Sequence, residues 1–194
     1  ITGESNGEEK YVKQSGGKGQ YGHVKIRIKP MDMDVDEEDL AKNVYREEGY
    51  EFINSIKGGV IPQEYITPCR KGFKDGMDRG ILAGYPAVNI SVELYDGSFH
   101  DVDSSEIAFK IASSKAMQDA ARRANPVILE PIMKIEIVTP EEFMGDITGN
   151  ISSKRGAVEG MDDRGMDKVV RAKVPLSELF GYTTTIRSMT QGRA

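Results

Sequence analysis

Apolar side chains recur at every second residue at Val24, Ile26 and Ile28, with Lys25, Arg27 and Lys29 between them. That alternation predicts a half-buried strand, which Pro30 ends. Residues 31–48 then form a long acidic excursion. A second strand is expected over residues 50–56, closed by Gly58 and Gly59. Here the period changes. Ile66, Cys69, Phe73 and Met77 recur at three- and four-residue steps, which predicts a helix buried along one face. Pro62 and Pro68 bracket its expected start, where a missing N–H costs least, and Gly80 is its expected stop. Val88, Ile90, Val92 and Leu94 alternate with Asn89, Ser91 and Glu93, predicting a strand with the polar set facing out. Asp96-Gly97 reads as a turn.

The box Asp103-Ser104-Ser105-Glu106 predicts a capped helix running to about Ala124. Ala108, Ile111, Ala112 and Ala116 give it a face of mostly small side chains that can approach a sheet closely. Asn125-Pro126 stops it. Periodicity restarts with a strand carrying Met133, Ile135 and Ile137. A helix on Met144, Ile147 and Ile151 follows and ends near Arg155-Gly156. Strands over 157–161 and 168–174 flank the turn-like "DDRG". A final helix from about Leu176 carries Leu179, Phe180, Ile186 and Met189. The chain thus divides near 129–131, and its second part runs β-α-β-β-α, one strand short of the split βαβ pattern.

With 38% hydrophobic and 29% charged residues over 194 positions, the chain can bury a core. No apolar run reaches the roughly 18 residues of a membrane span. The N-terminal "ITGESNGEEK" is unlike a secretory signal or a transit peptide. A single cysteine, Cys69, excludes an internal disulfide, and its helical register makes it a core thiol. The net charge of −5 argues against indiscriminate binding to nucleic acid or anionic lipid. The acid is clustered, however, at Asp32, Asp34, Asp36, Glu37, Glu38, Asp39, Glu47 and Glu48. Of 31 acids, 23 lie elsewhere, against 26 basic residues. Outside one solvated acidic segment, RNA-contacting patches are allowed.

Chemistry is sparse. "SGGKGQYG" lacks the spacing of a P-loop, and Gly19 stands where that motif needs Ser or Thr. Two histidines and one cysteine supply no metal-ligand set. Asp103 and the serines beside it read as a turn and a helix cap, not as members of a triad. Two loops remain. Residues 13–24, "KQSGGKGQYGHV", expose backbone N–H groups, a cation and a stackable ring, which suits phosphate and base contacts. An unoccupied glycine hairpin fits the same residues. In "YDGSFHDVDSSE", Phe99 can brace a loop that presents His100, either to RNA or simply to solvent.

"KQSGGKGQYGHV", "YEFINSIKGGVIPQEYI", "YDGSFHDVDSSEIAFKIA", "PVILEPIMKIEIVTPEEFMGDI" and "LFGYTTTIRSMTQGRA" together closely resemble the C-terminal half of the bacterial elongation factor G family, over nearly the whole chain and in order. The resemblance implies an α+β protein of two domains. Residues 1–129 would be the fourth domain, a ribosomal-protein-S5-domain-2-like sandwich with a left-handed βαβ crossover, against the usual hand. Residues 130–194 would be the fifth, ferredoxin-like domain without its last strand. The family's GTP-binding domain, with its GTP and magnesium, would lie outside this piece, which would hold no cofactor and perform no catalysis.

The same resemblance implies a role in ribosomal translocation, in the cytoplasm and away from membranes. Gln14, Ser15, Gly16, Gly17, Lys18, Gly19 and Gln20 would form one tip loop at the small-subunit decoding centre. His100, Asp101, Val102, Asp103 and Ser104 would form the other, facing tRNA and mRNA. Lys154, Arg155, Arg187 and Arg193 would be the cations that meet large-subunit rRNA and the stalk base. Residues 31–48 are longer and more acidic than the family's usual segment. An open sheet edge in the second domain would leave the piece monomeric or weakly self-associating. A paralogue for ribosome recycling or tetracycline protection, a stand-alone RNA-binding protein and an enzyme are the rival readings. The intact tip loops favour the translocase.

Overall fold

The alternation at Val24, Ile26 and Ile28 belongs to a strand longer than its apolar core. The computed structural model describes every residue except Ser15, Lys18, Asp36, Glu37 and Asp39. Among the described residues it contains two compact units, Ile1–Ile128 and Leu129–Ala194.

In the first unit, β1 (Ser5–Lys13) pairs antiparallel with β2 (Gln20–Pro30), which pairs antiparallel with β5 (Ile90–Ser98). Next to β5 runs β4 (Tyr50–Asn54), in parallel, and β3 (Val44–Glu47) closes the sheet, giving the order β1-β2-β5-β4-β3. The parallel pair is joined through α1 (Gln63–Asp78), while α2 (Glu106–Arg123) follows β5. Val24, Ile26, Ile28, Ile90, Val92 and Leu94 are fully buried. So are Cys69, Phe73 and Met77 of α1 and Ala112, Ala116 and Ala120 of α2. The alanine face works as expected: α2 lies so close to the strands that a Cβ on Gly7 would come within 2.8 Å of the Ala116 carbonyl oxygen. A Cβ on Gly22 would come within 2.7 Å of the Ala108 oxygen.

Burial pushes the Cys69 thiol up to about 12, so the reactive thiolate is scarce at neutral pH. A disulfide-exchange reagent should therefore titrate no thiol in the folded chain and one in denaturant. Prompt native labelling would show that the core opens readily.

Several sequence expectations are corrected here. Strands β1 and β3 lack an apolar alternation; only Gly7 of β1 is buried, and pairing with a neighbour places both. Val88 lies outside β5 and is exposed, because Asn89 adopts φ 59° just before the strand. Ser91 does not face solvent: it is buried beside Glu51, its partner on β4, to which its hydroxyl donates at 2.6 Å. Asp96-Gly97 makes no turn. Both pair within the sheet, past a bulge where the register steps from Ile26↔Leu94 to Lys25↔Asp96. Glycine is needed there because a Cβ would fall 2.3 Å from the His23 carbonyl oxygen. Pro68 lies inside α1, not at its start. The cap of α2 is Ser105, whose hydroxyl accepts the Ala108 N–H at 3.1 Å, which frees Asp103 for another role.

In the second unit, β6 (Ile132–Pro140), β7 (Ala157–Arg164) and β8 (Asp167–Pro175) form a sheet ordered β6-β8-β7. A single helical turn, Glu141–Phe143, leads into α3 (Met144–Ser153), and α4 (Tyr182–Met189) closes the unit. Ile147 and Ile151 of α3 and Val170 and Val174 of β8 are fully buried, with Ile137 and Ile186 nearly so. Phe180, expected in the last helix, precedes it and is 80% exposed, because α4 begins at Tyr182 and buries that ring instead. The β-α-β-β-α order is that of a ferredoxin-like unit up to its last strand. No helix among the described residues is long and apolar enough to cross a membrane.

Candidate nucleic-acid interface

Three loops leave the first unit's sheet at one end, because β4 and β5 run parallel and β2 runs against them. The first joins β1 to β2 after the pair Lys13↔Gln20. Gln14, Gly16 and Gly17 are exposed in it, and Gly16 takes φ 53° with no atom near its missing Cβ. Ser15 and Lys18 lie outside the described residues. The second loop runs from Phe99 to the Ser105 cap. The third, between β4 and α1, exposes Lys57, Gly58 and Gly59. Ser55 ties it to β5 by donating its N–H to the Leu94 oxygen at 2.9 Å. Along the chain this third loop shows only as a strand end, and its one local signal is the Lys-Gly-Gly run at 57–59.

The first two loops are joined directly. Tyr21 donates its backbone N–H to the Asp103 carbonyl oxygen at 2.8 Å, and Tyr21 and Ser104 form an isolated parallel bridge. Gly19 packs so closely on Asp103 that a Cβ there would lie 2.8 Å from the carboxylate. The second loop also closes on itself. The Ser104 hydroxyl accepts the His100 N–H at 2.9 Å, and the Ser104 N–H donates to the His100 oxygen at 3.0 Å.

His100 is oriented by its own loop. The backbone N–H groups of Val102 and Asp103 approach its Nδ1 at 3.3 and 3.2 Å. With Nδ1 accepting from these amides and the Asp103 carboxylate no nearer than 3.6 Å, the neutral ring carries its proton on Nε2, a donor with no partner among the described residues. The side chain is 54% exposed. Its ring stands 6.1 Å from that of Tyr21, tilted by 44°, and the Lys10 ammonium lies 5.5 Å from the Tyr21 centroid. Asp101 and Val102 are exposed, whereas Asp103 and Ser104 are half-buried by the joint with the first loop. Together these loops offer backbone donors, imidazole and aromatic faces and short polar side chains, which are the means of binding single-stranded or looped RNA.

Behind the loops the open sheet face is laced with ion pairs. Lys25 and Asp96 meet at 3.0 Å. The hydrogen bond from Lys25, helped by the Gly97 N–H, holds the Asp96 carboxyl below the usual carboxylate range.

The four cations of the second unit that the resemblance singles out, Lys154, Arg155, Arg187 and Arg193, do not form one cluster of free charge. Arg155 is engaged by Glu130 at 2.5 Å and Glu178 at 3.5 Å. Its hydrogen bond holds the Glu130 carboxyl below the usual range. Arg193 pairs with Glu142 and lies 4.8 Å from the Phe143 ring. Lys154 sits 5.4 Å from the Tyr182 ring, and Arg187 lies in the last turn of α4. Among the described residues these last two have no ion pair.

Residues 1–125 match the family described as elongation factor G, domain IV, and residues 127–194 match the one described as elongation factor G C-terminus. A crystal structure of a protein from Thermus thermophilus has the same fold, with a TM-score of 0.83 at 37% identity. The match covers 99% of the present chain and 27% of that one.

Proposed function

Since the chain belongs to the elongation factor G family, we propose that it works on the ribosome, in the cytoplasm, as the part of a translocase that engages RNA. The reading is supported above all by the joint between Tyr21 and Asp103, which makes one surface of two loops distant in sequence. In this role Gln14 to Gln20 and His100 to Ser104 enter the small-subunit decoding centre beside tRNA and mRNA. The action is mechanical. Glycine-loop N–H groups meet phosphate oxygens, His100 Nε2–H donates to a base or ribose, and the wedge bars tRNA and mRNA from slipping back. Lys154 and Arg187 are the second unit's candidates for large-subunit rRNA. Arg155 and Arg193 would have to exchange a carboxylate for a phosphate. GTP and magnesium belong to a separate domain of the whole factor.

The test is His100→Ala in a full-length factor carrying these units. Movement of tRNA and mRNA should slow about five- to thirtyfold, as expected for one or two lost contacts of about 1 kcal/mol each. GTP hydrolysis should keep its rate, and fold stability should shift by no more than about 0.5 kcal/mol, as for other exposed substitutions. Rapid kinetics of both steps decides: unchanged movement, or hydrolysis lost in parallel, removes His100 from the interface.

A further inference from the structure

We propose that Glu8, His23 and Ser98 form a positioning network that holds Tyr21, and through Tyr21 sets where His100 stands; the inference rests on the function proposed above. The four residues lie on the adjacent strands β1, β2 and β5. His23 Nε2 is 2.8 Å from Glu8 Oε1, and its Nδ1 is 2.7 Å from Ser98 Oγ. Ser98 Oγ is in turn 2.7 Å from the Tyr21 hydroxyl.

Chemistry orients the chain. A carboxylate oxygen only accepts, so Nε2 carries the proton and donates to Glu8. In the neutral ring Nδ1 then accepts from the Ser98 hydroxyl, whose oxygen is left to accept from Tyr21 O–H. Every donor points the same way, from Tyr21 toward Glu8, and aligned bonds polarise and stiffen one another. The His23 side chain is only 14% exposed, so water competes weakly at the centre.

At the far end Tyr21 is held twice, by its hydroxyl and by its N–H on the Asp103 oxygen. The ring between those anchors has little freedom, and it is the ring His100 rests against. The hydrogen bonds of His100 among the described residues all stay within its own loop. Beyond the backbone that runs on from β5, Tyr21 is therefore the sheet side chain that places the His100 ring. Glu8, His23 and Ser98 lie within the strands, behind the segments 14–19 and 99–104 that face RNA, so they act by placement, not by contact with RNA.

Three substitutions separate the parts. Tyr21→Phe keeps the ring and loses the hydroxyl, Ser98→Ala removes the shared hydroxyl, and Ser98→Thr retains it. In the isolated chain, Tyr21→Phe and Ser98→Ala should each speed amide exchange at Tyr21 about fivefold, the equivalent of about 1 kcal/mol. Both should shift the His100 ring-proton resonances, and Ser98→Thr should restore them, with the amides of Ile26 and Leu94 unaffected. Uniformly faster exchange across the unit, or an unmoved His100 signal, would overturn the proposal. In the full-length factor, both should slow tRNA movement less than His100→Ala does and add nothing on top of it. Full-speed movement in Ser98→Ala beside a slowed His100→Ala would also overturn it. If His100→Ala itself is silent, the proposed function fails, and the resonances of the isolated chain still decide the network.

Discussion

Gly72→Val should unfold the first unit at temperatures where the parent chain remains intact. A Cβ at Gly72 would lie 2.4 Å from the Lys110 carbonyl oxygen and 2.8 Å from Ser113 Cβ, and Gly76 one turn on is as tight, 2.7 Å from the Ser114 oxygen. The obstacle is backbone, which no rotamer change relieves. Nor can α2 retreat. Its other side already rests on Gly7 and Gly22, where the gaps are 2.8 and 2.7 Å. Overpacking a core costs about 1–3 kcal/mol and more where backbone must shift, so about 3 kcal/mol or more is expected. For a unit of this size that lowers the midpoint by about 10 °C. Adding a side chain to a glycine has the opposite sign where space is open. Gly149 is exposed inside α3 with nothing near its missing Cβ, so Gly149→Ala should stabilise the second unit by up to about 1 kcal/mol. Thermal denaturation followed through resonances of each unit reads both. A Gly72→Val chain that melts with its parent would show that the helices can separate freely.

Arg46→Met should be the next most damaging substitution. Arg46 and Glu51 meet at 2.6 Å with side chains 8% and 9% exposed, and Ser91 donates to the other carboxylate oxygen at 2.6 Å. Removing one partner of a buried pair strands the other charge, at a cost of about 3–5 kcal/mol. Arg46 also donates to the carbonyl oxygens of Val35 at 2.8 Å and Asp32 at 3.0 Å. It thereby pins the acidic segment to the sheet. Urea denaturation should show the loss, and limited proteolysis should cut the native variant between residues 31 and 43. Adding Glu51→Met should recover part of the stability, because no charge is then stranded. The Ser91 hydroxyl still lacks its acceptor, worth about 1–3 kcal/mol. Proteolysis should stay fast in the double variant. Recovery of both properties together would mean that Arg46 does not hold the acidic segment.

Neither effect is legible along the chain. Gly72 and Gly76 sit in a helical pattern as two weak helix formers, and nothing local says that another helix crosses them. Arg46 follows an acidic run whose composition reads as plain solvated loop. Its importance comes from Glu51 and Ser91, brought beside it by the β3–β4 and β4–β5 pairings. Alternation predicts that Ser91 faces water, because it reports which side a residue points to, not what covers that side. Asp96-Gly97 misled for a similar reason. The dipeptide permits a turn, but β2 was long enough to pair past it.

The sequence by itself determined the elements with apolar faces, β2, β4, β5, β6, α1, α2 and α3, and placed β7, β8 and a final helix after them. A buried face imposes a period on local residue choice, so it can be read without knowing the partner. The blocks that carry the family resemblance likewise picked out the glycine loop and the His100 loop. Tertiary structure decided the rest. Polar β1 and short β3 are strands because neighbours offer them hydrogen-bond partners, and Asp103 is a joint between loops because Ser105 takes the cap. The chain Glu8–His23–Ser98–Tyr21 links residues 75 and 77 positions apart across β2 and β5. A bond across such a distance leaves no local period, since its geometry exists only once the strands have paired.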